Sequence, residues 1–187
     1  MHQNPRYLEE LTKSSENAEK AFQSAFSPKF KHHSNEELQL WAALAILHCN
    51  ILRYVVTYEN STNLGIVRLL WMGDIVSMLY EARKWFHACG NPELIRIAIL
   101  KGINKDDIEK NIEQIKLNFP LHGVEKFKSF RNKAGNHYDR KFVAHLQQFS
   151  EVDSNSFFTI LSNYANYTNR WTVLCKEVLS YGQQEKA

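Results

Sequence analysis

The sequence predicts an all-α protein, an antiparallel up-and-down bundle of four to five long helices plus short helices. Three observations predict it. Gly and Pro are scarce, 7 and 4 in 187 residues, and a sheet needs more frequent turns than that allows. Hydrophobic residues make up 44% and aromatics 12%, enough to fill a sizeable core. Apolar residues also recur every three or four positions over long stretches, the period of one helix face.

Residues 1–34 are polar and contain Pro5 and Pro28. They are expected to form an N-terminal extension, a short helix and a loop, with Tyr7, Leu8 and Leu11 docking one turn on the domain. The His32-His33 pair is expected to be solvated, because neighbouring residues on a helix point apart. The bundle itself is expected to span residues 35–181, with a polar tail at 182–187.

The first strong helix starts near Asn35. Ser34 or Asn35 can accept from free backbone N–H groups, and Glu36 and Glu37 suit the positive helix end. Leu38, Trp41, Leu44, Leu47, Ile51, Tyr54 or Val55, and Tyr58 form its stripe. His48, Asn50 and Arg53 interrupt that stripe. The simpler expectation is that they flank it and face solvent; the alternative is that they face a site within the bundle.

A second helix is expected from Ser61 or Thr62 to about Ala88. Its stripe is Leu64, Val67, Leu70 or Trp71, Ile75, Met78 or Leu79, Ala82, and Trp85 or Phe86. Trp71 and Trp85 at helical spacing read as core. Cys89-Gly90-Asn91-Pro92 reads as a stop. A short helix follows from Pro92 to about Leu100, and Gly102 ends it. Asn104 caps the next, which buries Ile108, Ile112 and Ile115 and closes at Pro120. A further helical start runs from Val124 to about Phe130, anchored by Phe127 and Phe130. Residues 139–149 read as a short helix or irregular segment. The last helix begins after Asp153-Ser154 and carries the most regular stripe: Phe157, Ile160, Tyr164, Tyr167, Trp171, Leu174 and Val178.

The composition excludes several classes. The formal charge of +3 permits an RNA partner without the dense basic patch of a dedicated DNA binder. Cys49, Cys89 and Cys175 form no CxxC pair, so they read as small buried side chains in a reducing cytoplasm. No signal-peptide pattern and no run of about 18 uncharged apolar residues occurs, so no membrane role is expected. Gly-rich phosphate loops, a Gly-x-Ser-x-Gly elbow and a His-Glu-x-x-His pair are absent. Asp74 and Glu81 share a helix face but lack histidines at ligand spacing, so neither a metal nor another cofactor is expected.

What remains is the segment from Lys128 to Asp139, where Arg131, Asn132, Lys133, Asn136, His137 and Asp139 crowd around a Gly-Asn turn. Arg131 suits bidentate phosphate binding, and His137 can exchange a proton near neutral pH. As a purely structural alternative, these cations complement a helix C-terminus and His137 or Asp139 caps the next helix.

Arg131, five residues, then His137, with a polar Asn132 after the Arg and Tyr138-Asp139 after the His, resembles the HEPN superfamily, especially its branch associated with phage abortive infection. The resemblance implies a metal-independent endoribonuclease acting as a homodimer, a toxin or defence effector. It makes Arg131, Asn132 and His137 the catalytic candidates. Lys133, Asn136, Tyr138, Asp139, Arg140 and His145 would bind, and Glu81 on an earlier helix would contact the motif Arg. RNA or a nucleotide, a second copy, and an antitoxin or nucleotidyltransferase are the implied partners. Arg140 and His145, with four residues between them, match the same pattern and compete for part of the site. The non-enzymatic alternative is an α-helical binding or partner module.

Overall fold

The computed structural model describes residues 5–27, 34–60, 65–128, 143–144, 146–147 and 153–181. Among these, regular structure is helical throughout: α1 (Pro5–Ala25), α2 (Asn35–Asn60), α3 (Ile66–Trp85), α4 (Asn91–Leu100), α5 (Lys105–Asn118) and α6 (Ser154–Ser180). A π turn, Phe86–Gly90, joins α3 to α4, and a 3-10 turn, Leu121–Phe127, follows α5.

Helix α6 occupies the middle, packing against α2, α4, α5 and the 3-10 turn. Phe157, Ile160, Tyr164, Tyr167, Trp171, Leu174 and Val178, its expected stripe, are all buried. Asp153 starts it, accepting from the backbone N–H groups of Asn155 and Ser156 at 3.3 and 2.8 Å. Helix α2 begins with a reciprocal cap: Ser34 Oγ accepts from Glu37 N–H at 3.2 Å, and Glu37 Oε2 accepts from Ser34 N–H at 3.1 Å. An 18-residue window of α2 reaches mean hydropathy 1.5 with 39% of it buried. That meets the length and composition of a membrane span, as the core helix of a packed domain also does; here α2 lies against α1 and α6.

Helix α1 corrects the expected short helix, extending over 21 residues. Its buried face is made of small side chains, Ser14, Ala18, Ala21, Ser24 and Ala25, and the three alanines pack on Leu38, Ala42 and Ala45 of α2. Alanines and serines give little hydrophobic contrast, so the periodicity is faint in the sequence. Tyr7 and Leu11 dock on the main core as expected, whereas Leu8 is exposed.

The expected stop at Cys89–Pro92 is also corrected. Gly90 and Asn91 keep right-handed helical angles, and Asn91 N–H bonds to Phe86 O, five residues back. Pro92 has no N–H and its ring crowds the preceding turn. Widening one turn lets the helix pass through that position. The exposed Cys89 on this turn departs from the buried role expected of it, whereas Cys175 is buried. Burial pushes the Cys175 thiol up to about 12.

At the other end of α3, Ile66, Val67 and Leu70 are exposed, and its buried set starts at Met72. Helix α4 closes on a Schellman turn: Ile103 N–H bonds to Ala98 O and Gly102 N–H to Ile99 O, with Gly102 at φ 86°. Asn104 caps α5 as expected, accepting from Asp106 N–H at 2.8 Å. The expected helix at Val124 is instead a tight 3-10 turn beginning at Leu121, with Val124 and Phe127 buried.

Candidate functional site

Arg131, Asn132 and His137, with Lys133, Asn136, Tyr138, Asp139, Arg140 and His145, lie outside the described residues, as do His32 and His33. The described chain on either side of the motif packs together. Phe127, ending the 3-10 turn, packs edge-on against Phe157 in the first turn of α6, with centroids 5.4 Å apart. Leu146 is buried in the same core.

The 3-10 turn is held from two sides. Tyr164 on α6 donates to Leu121 O at 3.0 Å, and burial raises the Tyr164 hydroxyl above its ordinary range. On α3, Arg83 forms an ion pair with Glu125, and Tyr80 donates to Glu125 at 3.4 Å. Glu125 is thus an acidic residue gripping an earlier helix close to the motif.

Glu81, the acidic candidate on α3, stands on a different face. It is exposed and takes Lys84 Nζ at 3.0 Å. With Leu11, Ile46, Leu47, Met78 and Trp85 it lines a largely apolar groove of about 920 Å³ between α1, α2 and α3. Asn50 and Arg53 line that groove as well.

Beside the 3-10 turn, a smaller cleft of about 210 Å³ gathers Arg83, His87, Asn91, Lys116, His122 and Tyr167. The π turn supplies His87 and the 3-10 turn supplies His122. Buried Asn91 accepts from Trp171 Nε1 at 2.8 Å and from the Tyr167 hydroxyl at 3.5 Å, which leaves its NH2 for the cleft. Burial pushes Tyr167 up to about 12. Imidazoles, a guanidinium, an ammonium and an amide around one cleft are groups that suit a phosphate, although Arg83 is paired with Glu125 and Lys116 with Glu113. Sequence reasoning missed this group because each of its six members comes from a different element. The π turn was masked by residues that read as a helix stop.

A third concavity corrects the expectation that His48 faces solvent. His48 is half-buried between α1, α2 and α6, with Nδ1 2.7 Å from Thr168 Oγ1. Desolvation lowers its pKa to about 4, so the ring is neutral at physiological pH. Among the described residues, no three His, Cys, Asp or Glu side chains group as metal ligands.

Compared with known proteins, the chain matches no family model, no curated protein and no solved structure.

Proposed function

We propose that this chain is a HEPN-like, metal-independent endoribonuclease that works as a homodimer, as a toxin or defence effector in the cytoplasm. The helices are read as an antiparallel up-and-down bundle, with the Arg131–His137 segment at one end. The observation that carries the reading is the order of parts: Arg131-Asn132, five residues between Arg131 and His137, then the closing helix, in a chain whose described parts are helical. The phosphate-suited cleft supports it from the described side, because Arg83 and His122 of that cleft belong to, or grip, the turn that leads into the motif.

In this reading the ribose 2′-hydroxyl attacks the adjacent phosphorus and the 5′-oxygen leaves, giving a 2′,3′-cyclic phosphate. His137 takes the proton from the nucleophile or supplies one to the leaving oxygen. Arg131 offsets the charge that grows on the phosphoryl oxygens, and Asn132 orients one of the two. The nucleophile belongs to the substrate, which restricts that substrate to RNA. A cognate antitoxin or nucleotidyltransferase would hold the activity in check.

The test is cleavage of a defined single-stranded RNA in EDTA, with end-group analysis. Cyclic phosphate ends are expected from the wild type, and a loss of about 10²-fold or more from His137→Ala or Arg131→Ala. Undiminished cleavage by His137→Ala would remove the assignment and move attention to Arg140 and His145.

The apolar groove between α1, α2 and α3 favours a second reading, a helical partner module without catalysis. That reading expects no cleavage from the wild type at any enzyme concentration.

A further inference from the structure

The cleft of about 210 Å³ beside the 3-10 turn differs from the other concavities described in one respect: no carboxylate lines it. Glu16 and Glu81 line the apolar groove, Glu10 the His48 cavity, and Glu177 a groove between α5 and α6. In the floor of the cleft, among the buried rings and side chains of Phe86 and Leu121, lies the amide of Asn91, which is only 7% exposed. Its orientation is fixed. An indole N–H can only donate, so the Asn91 atom that Trp171 Nε1 meets at 2.8 Å is the oxygen. The Tyr167 hydroxyl donates to the same oxygen at 3.5 Å. Nδ2 is left without a bond to any described residue, yet it is not sealed off, because it retains surface where Asn91 lines the cleft.

Arg83, His87, Lys116 and His122 surround that amide. Both imidazoles are exposed, and both cations are half-buried. Arg83 is paired with Glu125 and Lys116 with Glu113, but each pair engages one nitrogen among the described residues. A guanidinium carries five N–H donors and an ammonium three, so donors remain on both. The Glu113 pair is a surface i,i+3 pair, which holds its cation weakly. Every polar group facing the space can therefore donate, and the buried one can do nothing else. Such a set selects a ligand that only accepts, through several oxygens, and that carries negative charge. The space is below the roughly 300–1,000 Å³ of ordinary ligand sites. It admits a tetrahedral end group down to Asn91, and excludes a strand with a sugar on either side of its phosphate. His87 leaves from a π turn, an insertion that recurs at functional sites.

We propose that this cleft is a site for a terminal phosphate, with the Asn91 amide as its deepest donor. The identity of the carrier rests on the ribonuclease reading: it is the phosphorylated end of an RNA strand. The cleft itself uses none of the motif residues.

The test is an NMR titration of the full chain, followed at the Asn91 side-chain amide and the His122 imidazole. The probes are inorganic phosphate, sodium chloride at matched ionic strength, and 2′-O-methyl RNA hexamers with a 5′-phosphate, a 3′-phosphate or two hydroxyl ends. These hexamers lack the 2′-hydroxyl nucleophile, so binding is read apart from cleavage and either reading can fail alone. Inorganic phosphate is expected to shift both signals saturably, with Kd of about 1–10 mM, and one phosphate-ended hexamer to bind about tenfold more tightly than the hydroxyl-ended one. Asn91→Asp keeps an oxygen for Trp171 and turns a repelling oxygen on the ligand, so phosphate affinity should fall about tenfold or more. Lys116→Ala, on the surface, should weaken it several-fold in a chain whose fold is unchanged. Saturation by phosphate with no preference among the hexamers assigns the cleft to free phosphate and removes the RNA carrier. No saturable shift with phosphate, or an equal response to chloride, overturns the proposal.

Discussion

The indole of Trp85 lies across Gly90 so closely that a β-carbon at position 90 would sit 2.7 Å from ring carbon Cζ3. The ring is not free to give way, because Phe86 and Trp171 pack against it with centroids 5.1 and 6.1 Å away. In an ordinary helix, Gly→Ala stabilises by about 0.5–1 kcal/mol. Here overpacking outweighs that gain. Gly90→Ala is expected to destabilise by about 1–2 kcal/mol in urea titrations, and Trp85→Leu in the same chain should restore the ordinary sign for the glycine change.

Asn91 links the π turn to α6 through Trp171 Nε1 at 2.8 Å. Leucine would match its size and remove its oxygen, leaving a buried indole N–H unpaired. Asn91→Leu should cost about 1–3 kcal/mol. Replacing the donor together with the acceptor, as Asn91→Leu with Trp171→Phe, should cost less than the two single changes summed, a coupling that a double-mutant cycle measures.

His48 gives the fold a pH dependence of known sign. Its ordinary value is 6.5 and desolvation lowers it to about 4 in the folded chain. Glu10 on α1 acts against that shift and Lys176 on α6 adds to it. Between pH 6.5 and about 4 the unfolded chain takes up the proton first. The stability held by the neutral ring is complete above that window and drains away as pH falls through it, by up to about 3 kcal/mol. His48→Gln should flatten this part of the stability profile, read as urea midpoints at several pH values against the wild type.

The cleft beneath the π turn makes a prediction about RNA. If Arg83 and Lys116 each meet one phosphate there, replacing either by Ala should weaken RNA binding for all sequences alike. Each change should also reduce the salt-dependence slope by about one. Fluorescence anisotropy with a labelled oligonucleotide at several salt concentrations reads both quantities. An unchanged slope would place the nucleic acid elsewhere.

Legibility in the sequence followed side-chain size. Helix α6 was readable because large apolar and aromatic residues mark its buried face, from Phe157 to Val178. The caps at Asn104 and Asp153 were readable because capping is local chemistry. The length of α1 was hidden by a buried face of Ala and Ser. The π turn was hidden because Pro92 reads as a stop, and because part of what holds the turn is tertiary, Asn91 meeting a tryptophan 80 residues away. The His48 cavity depends on a contact 120 residues apart in the chain, and only the interruption of the α2 stripe hinted at it. The Arg131–His137 motif falls outside the described residues, so its reading stands on the sequence pattern and on the turn that precedes it.

The wide turn at Phe86–Gly90 also acts as a phase shifter. One residue more than an α-turn needs turns everything after it by about 100° about the helix axis. That rotation sets Leu94, Ile97 and Ala98 of α4 inward. Excising a single residue from the turn, such as Ala88, would regularise the backbone and at the same time swing those three side chains toward water. The irregular turn is therefore the element that keeps the two halves of this long helical run in step with a shared interior, and a shorter, tidier version of the sequence would lose that agreement.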